Sequence, residues 1–350
     1  MKIGVVPALI AAALFGASTP LAKLLVDDVA PVMLAGLLYL GSGIGLLAWF
    51  LLRGFRAERI GESTAHIRRR DLGWLAGAIL AGGVVGPILL MVGLAVTSAA
   101  SASLLLNMEG VLTALLAWFV FKENFDRRIA WGMAFIVAGG VLLSWQDRPT
   151  LGVPWGALAI VGACFAWAID NNLTRKIAAS DAVQIAGIKG LVAGVVNVGL
   201  ALALGSSWPS APLVLATALV GLAGYGLSLV FFVIALRHLG TARTSAYFSV
   251  APFVGAAVAL ALLREAPASM FWIAAILMAI GVWLHLTERH VHEHTHRPLQ
   301  HAHPHSHDPH HRHAHEPGWD GREPHTHEHA HEPITHAHDH VPDIHHRHEH

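Results

Sequence analysis

Between residues 4 and 287 the chain is a succession of apolar stretches, each about twenty residues long and set apart by short polar breaks. That is the length a helix needs to cross the hydrocarbon core of a bilayer. The stretches run approximately over 4–24, 30–52, 72–94, 98–121, 129–145, 155–173, 182–204, 211–235, 242–263 and 268–287. Between them lie Asp27-Asp28 with Pro31, a basic 53–71 loop, Asp126-Arg127-Arg128, Pro149 to Pro154, and Trp208-Pro209-Ser210. The expectation is an all-α polytopic membrane protein of ten transmembrane helices. Composition agrees: 54% of residues are hydrophobic and 13% charged, where a soluble domain carries about 25% charged residues. The apolar stretch after Lys2 continues to Pro20 and Lys23, long enough to be a retained first helix rather than a cleaved signal. Gly73, Gly77, Gly82, Gly83 and Gly86 are small enough to let helix backbones approach closely. The single cysteine, Cys164, excludes an intramolecular disulfide and a thiolate metal cluster, and reads as a small core residue.

Basic residues orient the helices. With the N-terminus in the cytoplasm, the inner loops before the tail at residue 289 hold 14 Lys and Arg and the outer loops hold 3, namely Lys23, Arg148 and Arg264. This bias follows the positive-inside rule and puts both termini in the cytoplasm, in a plasma or inner membrane.

The two halves also resemble each other at an offset of 142. Leu94 matches Leu236, Ala100 Ala242, Ser103 Ser245, Ala117 Ala259, Glu123 Glu265 and Gly139 Gly281, and Lys122-Glu123 matches Arg264-Glu265. Five helices is an odd number, so the copies are expected to be inverted: a first repeat over 1–147 and a second over 148–288. Inverted repeats place substrate sites near the midplane at their interface and rock to give alternating access.

Ionisable groups inside a span cost about 2.5–3.5 kcal/mol on insertion scales and are functional candidates for that reason. Here they are Glu109, two residues after Asn107, then Asp170, and Lys189; Asn197 lies deeper in the seventh stretch. Glu109 and Asn197 are expected to face a central cavity, with Glu109 contacting a cationic substrate group or carrying a coupling proton. Asp170 and Lys189 fall at similar depth on adjacent helices and are expected to pair. Lys122, Glu123, Arg264 and Glu265 read as interfacial anchors. Trp74, Trp118, Trp131, Trp145 and Trp155 read as an interfacial belt.

Ser98-Ala99-Ala100-Ser101-Ala102-Ser103 through Lys122-Glu123, then Gly139-Gly140-Val141-Leu142, resembles the EamA-like branch of the drug/metabolite transporter superfamily. Ala235-Leu236-Arg237 to Pro252, Glu265 and Gly281 carry the same likeness. It covers roughly 4–287 and implies a five-plus-five inverted repeat around a central cavity, commonly exporting amino acids or other metabolites. The family often has Pro after both small-residue runs; this chain keeps Pro252 and has Gly110 at the other place.

Residues 289–350 are different in kind. They hold 23 of the 26 histidines, mostly as His-X-His: His292, His294, His296, His301, His303, His305, His307, His313, His315, His325, His327, His329, His331, His336, His338, His340, His348 and His350. Prolines and charges with hardly any apolar residue predict a disordered tail. Imidazole suits Ni, Zn, Co or Cu, so the tail is expected to bind divalent transition metal. No cofactor is required by the membrane part.

No nucleophile–base set, phosphate loop or zinc-protease motif occurs, so an enzyme is not expected. The leading expectation is a secondary transporter exporting a small organic solute. A transporter of a metal ion or chelate, and a membrane-bound metal sensor or buffer, are the alternatives. The expected partners are lipid, a small-molecule substrate and transition-metal ions, with a homodimer also considered and no nucleic acid.

Overall fold

The computed structural model describes residues 4–60, 71–121, 127–146, 154–175, 177, 182–239, 244, 247–287, 290–295, 299–305, 325–331 and 335–340. The chain divides into two compact units, Met1–Glu288 and Arg289–His350. The first is a helical bundle: α1 (Val5–Val26), α2 (Pro31–Ile60), α3 (Leu72–Ala78), α4 (Gly86–Val96), α5 (Ala99–Leu105), α6 (Met108–Phe121), α7 (Arg127–Gln146), α8 (Trp155–Arg175), α9 (Ala182–Ala203), α10 (Ala211–Gly221), α11 (Ser228–Leu239), α12 (Ala251–Leu262) and α13 (Ser269–Leu286). Two π-helical segments, Ile79–Val85 and Leu222–Leu227, join α3 to α4 and α10 to α11 into single long spans. Eight helical stretches are long and apolar enough to cross a membrane, and α12 and α13 are shorter apolar helices. This first unit is a polytopic all-α membrane protein fold.

The strongest packing runs between the halves of the sequence. α2 lies along α9, α7 along α13, α4 along α8, α5 along α12, and α1 along α11 and α12. Glycine sets these close approaches. A Cβ on Gly190 would come within 2.8 Å of Gly43 N, and one on Gly281 within 2.6 Å of Gly132 O. Both would force α2 from α9 and α7 from α13, where packing alone holds helices together in lipid.

The same contacts recur in pairs. Gly139 approaches Ala274 O as Gly281 approaches Gly132 O, each residue displaced by 142. Gly36 meets Val198 as Gly187 meets Leu47, and Gly43 meets Leu191 as Gly194 meets Leu40, each displaced by 151. Gly82 meets Asp170 as Gly224 meets Ser18, displaced by 142 in one partner and 152 in the other. The offset of 142 therefore holds for the later spans of each half but lengthens in the first two. The long basic loop after α2 has only the short 204–210 stretch as its counterpart, which absorbs the difference.

Over its described residues the second unit departs from the expected disorder. β1 (His290–Thr295) pairs antiparallel with β4 (Thr335–His340), and β2 (Leu299–His305) with β3 (His325–His331). The cause is the period of the sequence. His-X-His repeats every two residues, as a strand does, and the registers set His290 opposite His340, His292 opposite His338, His301 opposite His329 and His303 opposite His327. His296, His307, His313, His315, His348 and His350 lie outside the described residues.

Candidate transport site

The site begins with a proline. Through Ile79–Val85 the backbone bonds five residues back, and Gly86 N–H donates to Ala81 O. Pro87 has no N–H to continue that series, so Gly82 O is left for side chains. Tyr39 Oη from α2 donates to it at 2.8 Å and Trp167 Nε1 from α8 at 3.0 Å. Gly83 O accepts from Asn197 Nδ2 of α9 at 2.9 Å. Three helices are thus tied to one widened turn, and π-helical turns gather at functional sites.

Gly82 also makes room for a charge. A Cβ there would sit 2.5 Å from Asp170 Cβ. Asp170 is buried and forms a salt bridge with Lys189, the pair expected from their depth. Thr174 Oγ1 donates to its other oxygen at 2.9 Å. One cross-bundle ammonium and one local hydroxyl satisfy this carboxylate.

Glu109 is placed differently. Span four is broken: α5 ends at Leu105, Leu106 and Asn107 form a turn, and α6 restarts at Met108. At the break Leu104 O accepts both the backbone N–H of Asn107 at 3.0 Å and its Nδ2 at 2.9 Å. Glu109 then falls in the first turn of α6, where a negative side chain matches the helix dipole. It is half-buried and accepts from Asn171 Nδ2, on the neighbouring α8, at 2.8 Å. Lys189 and Asp170 lie within electrostatic range of it. In the second half the matching position is Ala251, packed onto Gly16. Residue 168, which corresponds to Gly16 at the 152 offset, is alanine. Glu109 and Asn171 therefore sit where the equivalent helix pair closes completely.

Aromatic rings from both halves collect nearby. Phe15 meets Trp167, Tyr225 and Phe248 at 6.5, 6.1 and 5.4 Å between ring centres, and Tyr39 meets Tyr225 at 5.4 Å. Such faces favour cations.

The sequence-derived candidates thus separate. Asp170 and Lys189 pair, and Glu109 is tied to Asn171, the residue after Asp170 on α8. Asn197 is 0% exposed and anchors the π segment, so in this conformation it has no open surface to present. Asn107 braces the helix break. Cys164 is buried under Leu105 O. Among the described residues no group of three His, Cys, Asp or Glu is placed to hold a metal. The belt tryptophans are exposed, as a lipid-facing girdle requires. Sequence reasoning missed Tyr39 and Trp167. The signal was present, since a tyrosine or tryptophan buried in an apolar span must find an acceptor.

The sequence pattern that defines the EamA-like transporter family matches residues 2–145 and 154–287. The chain belongs to this family. A protein of Methanothermobacter thermautotrophicus described as an uncharacterized transporter is 30% identical over 296 residues, 80% of this chain and 85% of the relative. The inner membrane transporter YedA of Escherichia coli K12, also described as uncharacterized, is 26% identical over 74% of this chain and 82% of its own length. A solved crystal structure with 20% sequence identity shares the fold at a TM-score of 0.59, over 79% of this chain and 94% of the other. This member of the EamA-like family is accordingly a membrane transporter of the drug/metabolite type.

Proposed function

We propose that this transporter is a secondary exporter of a small amine-bearing organic solute, such as an amino acid, working by alternating access between two inverted five-helix repeats. The carrying observation is Glu109. It is the one carboxylate of the described bundle interior held by an amide alone, while Asp170 is neutralised by Lys189. A single negative charge within the bundle suits an ammonium group or a coupling proton. The reciprocal glycine contacts, the two π segments and the two family matches support the repeat reading. The basic bias of the loops supports cytoplasmic termini.

The histidine-rich tail binds divalent transition metal on this reading, as storage, sensor or delivery segment. Transport of a bare metal ion is disfavoured, because the described membrane residues offer no three-ligand group; a metal chelate is the remaining alternative. Vesicle flux across amino acids and Ni, Co, Zn and Cu tests the assignment, comparing the full chain with one ending near residue 290. Amine-solute flux that is indifferent to truncation is expected. Metal flux lost on truncation would replace this reading with the metal-transport one.

A further inference from the structure

At the end of the bundle away from the N-terminus, the turn from α4 to α5 is gripped by charge from both sides. Lys23 Nζ, in the last turn of α1, donates to Leu94 O at 2.7 Å and Ala95 O at 3.2 Å. These are among the carbonyls α4 leaves unpaired at its C-terminus. Glu265 accepts from the opposite side, Ala99 N–H at 2.8 Å through Oε1 and Ala100 N–H at 2.9 Å through Oε2. A cation on a helix C-terminus and an anion on the next N-terminus both match the dipoles, and such charged bonds are stronger than neutral ones. Glu265 reaches α5 because Arg264 is left-handed at φ 51°, the only non-glycine residue with positive φ among those described. Backbone held in so unfavourable a region gathers at functional sites. Ala99, Ala100 and Ser101 are buried behind the grip.

The sequence repeats the arrangement. At the offset of the first span, 152, Lys23 corresponds to Arg175; at 142, Glu265 corresponds to Glu123, Leu94-Ala95 to Leu236-Arg237, and Ala99-Ala100 to Thr241-Ala242. A cation and a carboxylate both recur in the sequence. Glu123, Thr241 and Ala242 lie outside the described residues.

We propose that Lys23 and Glu265 form a clasp holding this end of the bundle shut. The test needs no substrate, so it can fail independently of the transport assignment. A reporter cysteine is introduced as Ser101→Cys in a Cys164→Ser protein, and its alkylation by a membrane-impermeant maleimide is timed in oriented vesicles. Glu265→Gln keeps the side-chain shape and Lys23→Met removes the other charge. Each is expected to speed labelling about fivefold or more, the lower range for coupled sites. Native Cys164, buried beneath α5, is the control for loosening and is expected to stay unreactive in Glu265→Gln protein. Unchanged labelling in both Glu265→Gln and Lys23→Met would overturn the clasp, as would faster labelling accompanied by a reactive Cys164.

Discussion

Two carboxylates a short distance apart carry different chemistry because their neighbours differ. Asp170 has Lys189 and Thr174, and with side chains only 17% and 6% exposed, neither Lys189 nor Asp170 has water in reserve. Removing one partner strands the other, at about 3–5 kcal/mol. Asp170→Asn and Lys189→Met are therefore each expected to lower the detergent melting temperature sharply. The double variant should recover much of that loss, since it leaves no lone charge; simple additivity of the two losses would refute the pairing. Glu109 has only Asn171. Glu109→Gln preserves shape and a hydrogen-bonding oxygen, so folding should be kept while solute flux and its pH dependence are lost. A Glu109→Gln protein that transports with the parent's pH profile would remove Glu109 from the site.

At the scale of elements, the π segment of span three explains why the site lies where it does. Pro87 interrupts the backbone series, Gly82 and Gly83 lose carbonyl partners, and Tyr39, Trp167 and Asn197 supply them. The spans themselves were readable from apolar length, and α1, α8, α9 and α13 fall within a few residues of expectation. The Asp170–Lys189 pair was readable because adjacent helices fix relative depth. The break in span four and the grip of Glu265 on α5 were not. Glu265 lies 166 residues from Ala99, and an anchor at the membrane surface has the same composition as a helix cap. Gly82 gives the sharpest test of the element. Gly82→Ala would drive a methyl into Asp170, and overpacking of this kind typically costs about 1–3 kcal/mol. Lower thermal stability together with reduced flux is expected; a fully stable, active Gly82→Ala protein would mean that the π turn is not fixed as described.

At the scale of the whole molecule, the membrane unit and the histidine-rich unit obey different periodicities. One is built on stretches long enough to span lipid, the other on a two-residue alternation that sets histidine opposite histidine across both described ladders. Disorder was the natural expectation from a composition with hardly any apolar residue. Composition, however, does not register the period, and the period is what strand pairing uses. The metal binding proposed for this unit requires neutral imidazole. A free histidine takes up a proton near pH ~6.5, and a protonated ring has no lone pair to give. Metal retained by the full chain in detergent is thus expected to fall as pH drops through that value and to return on neutralisation. A chain ending near residue 290 should retain almost none at any pH. The same titration distinguishes the roles open to the tail. If bound metal regulates the bundle, solute flux will track occupancy in the full chain and be flat in the shortened one. If the tail only stores metal, flux will be equal in both while occupancy changes, and its histidines will have no part in moving the solute.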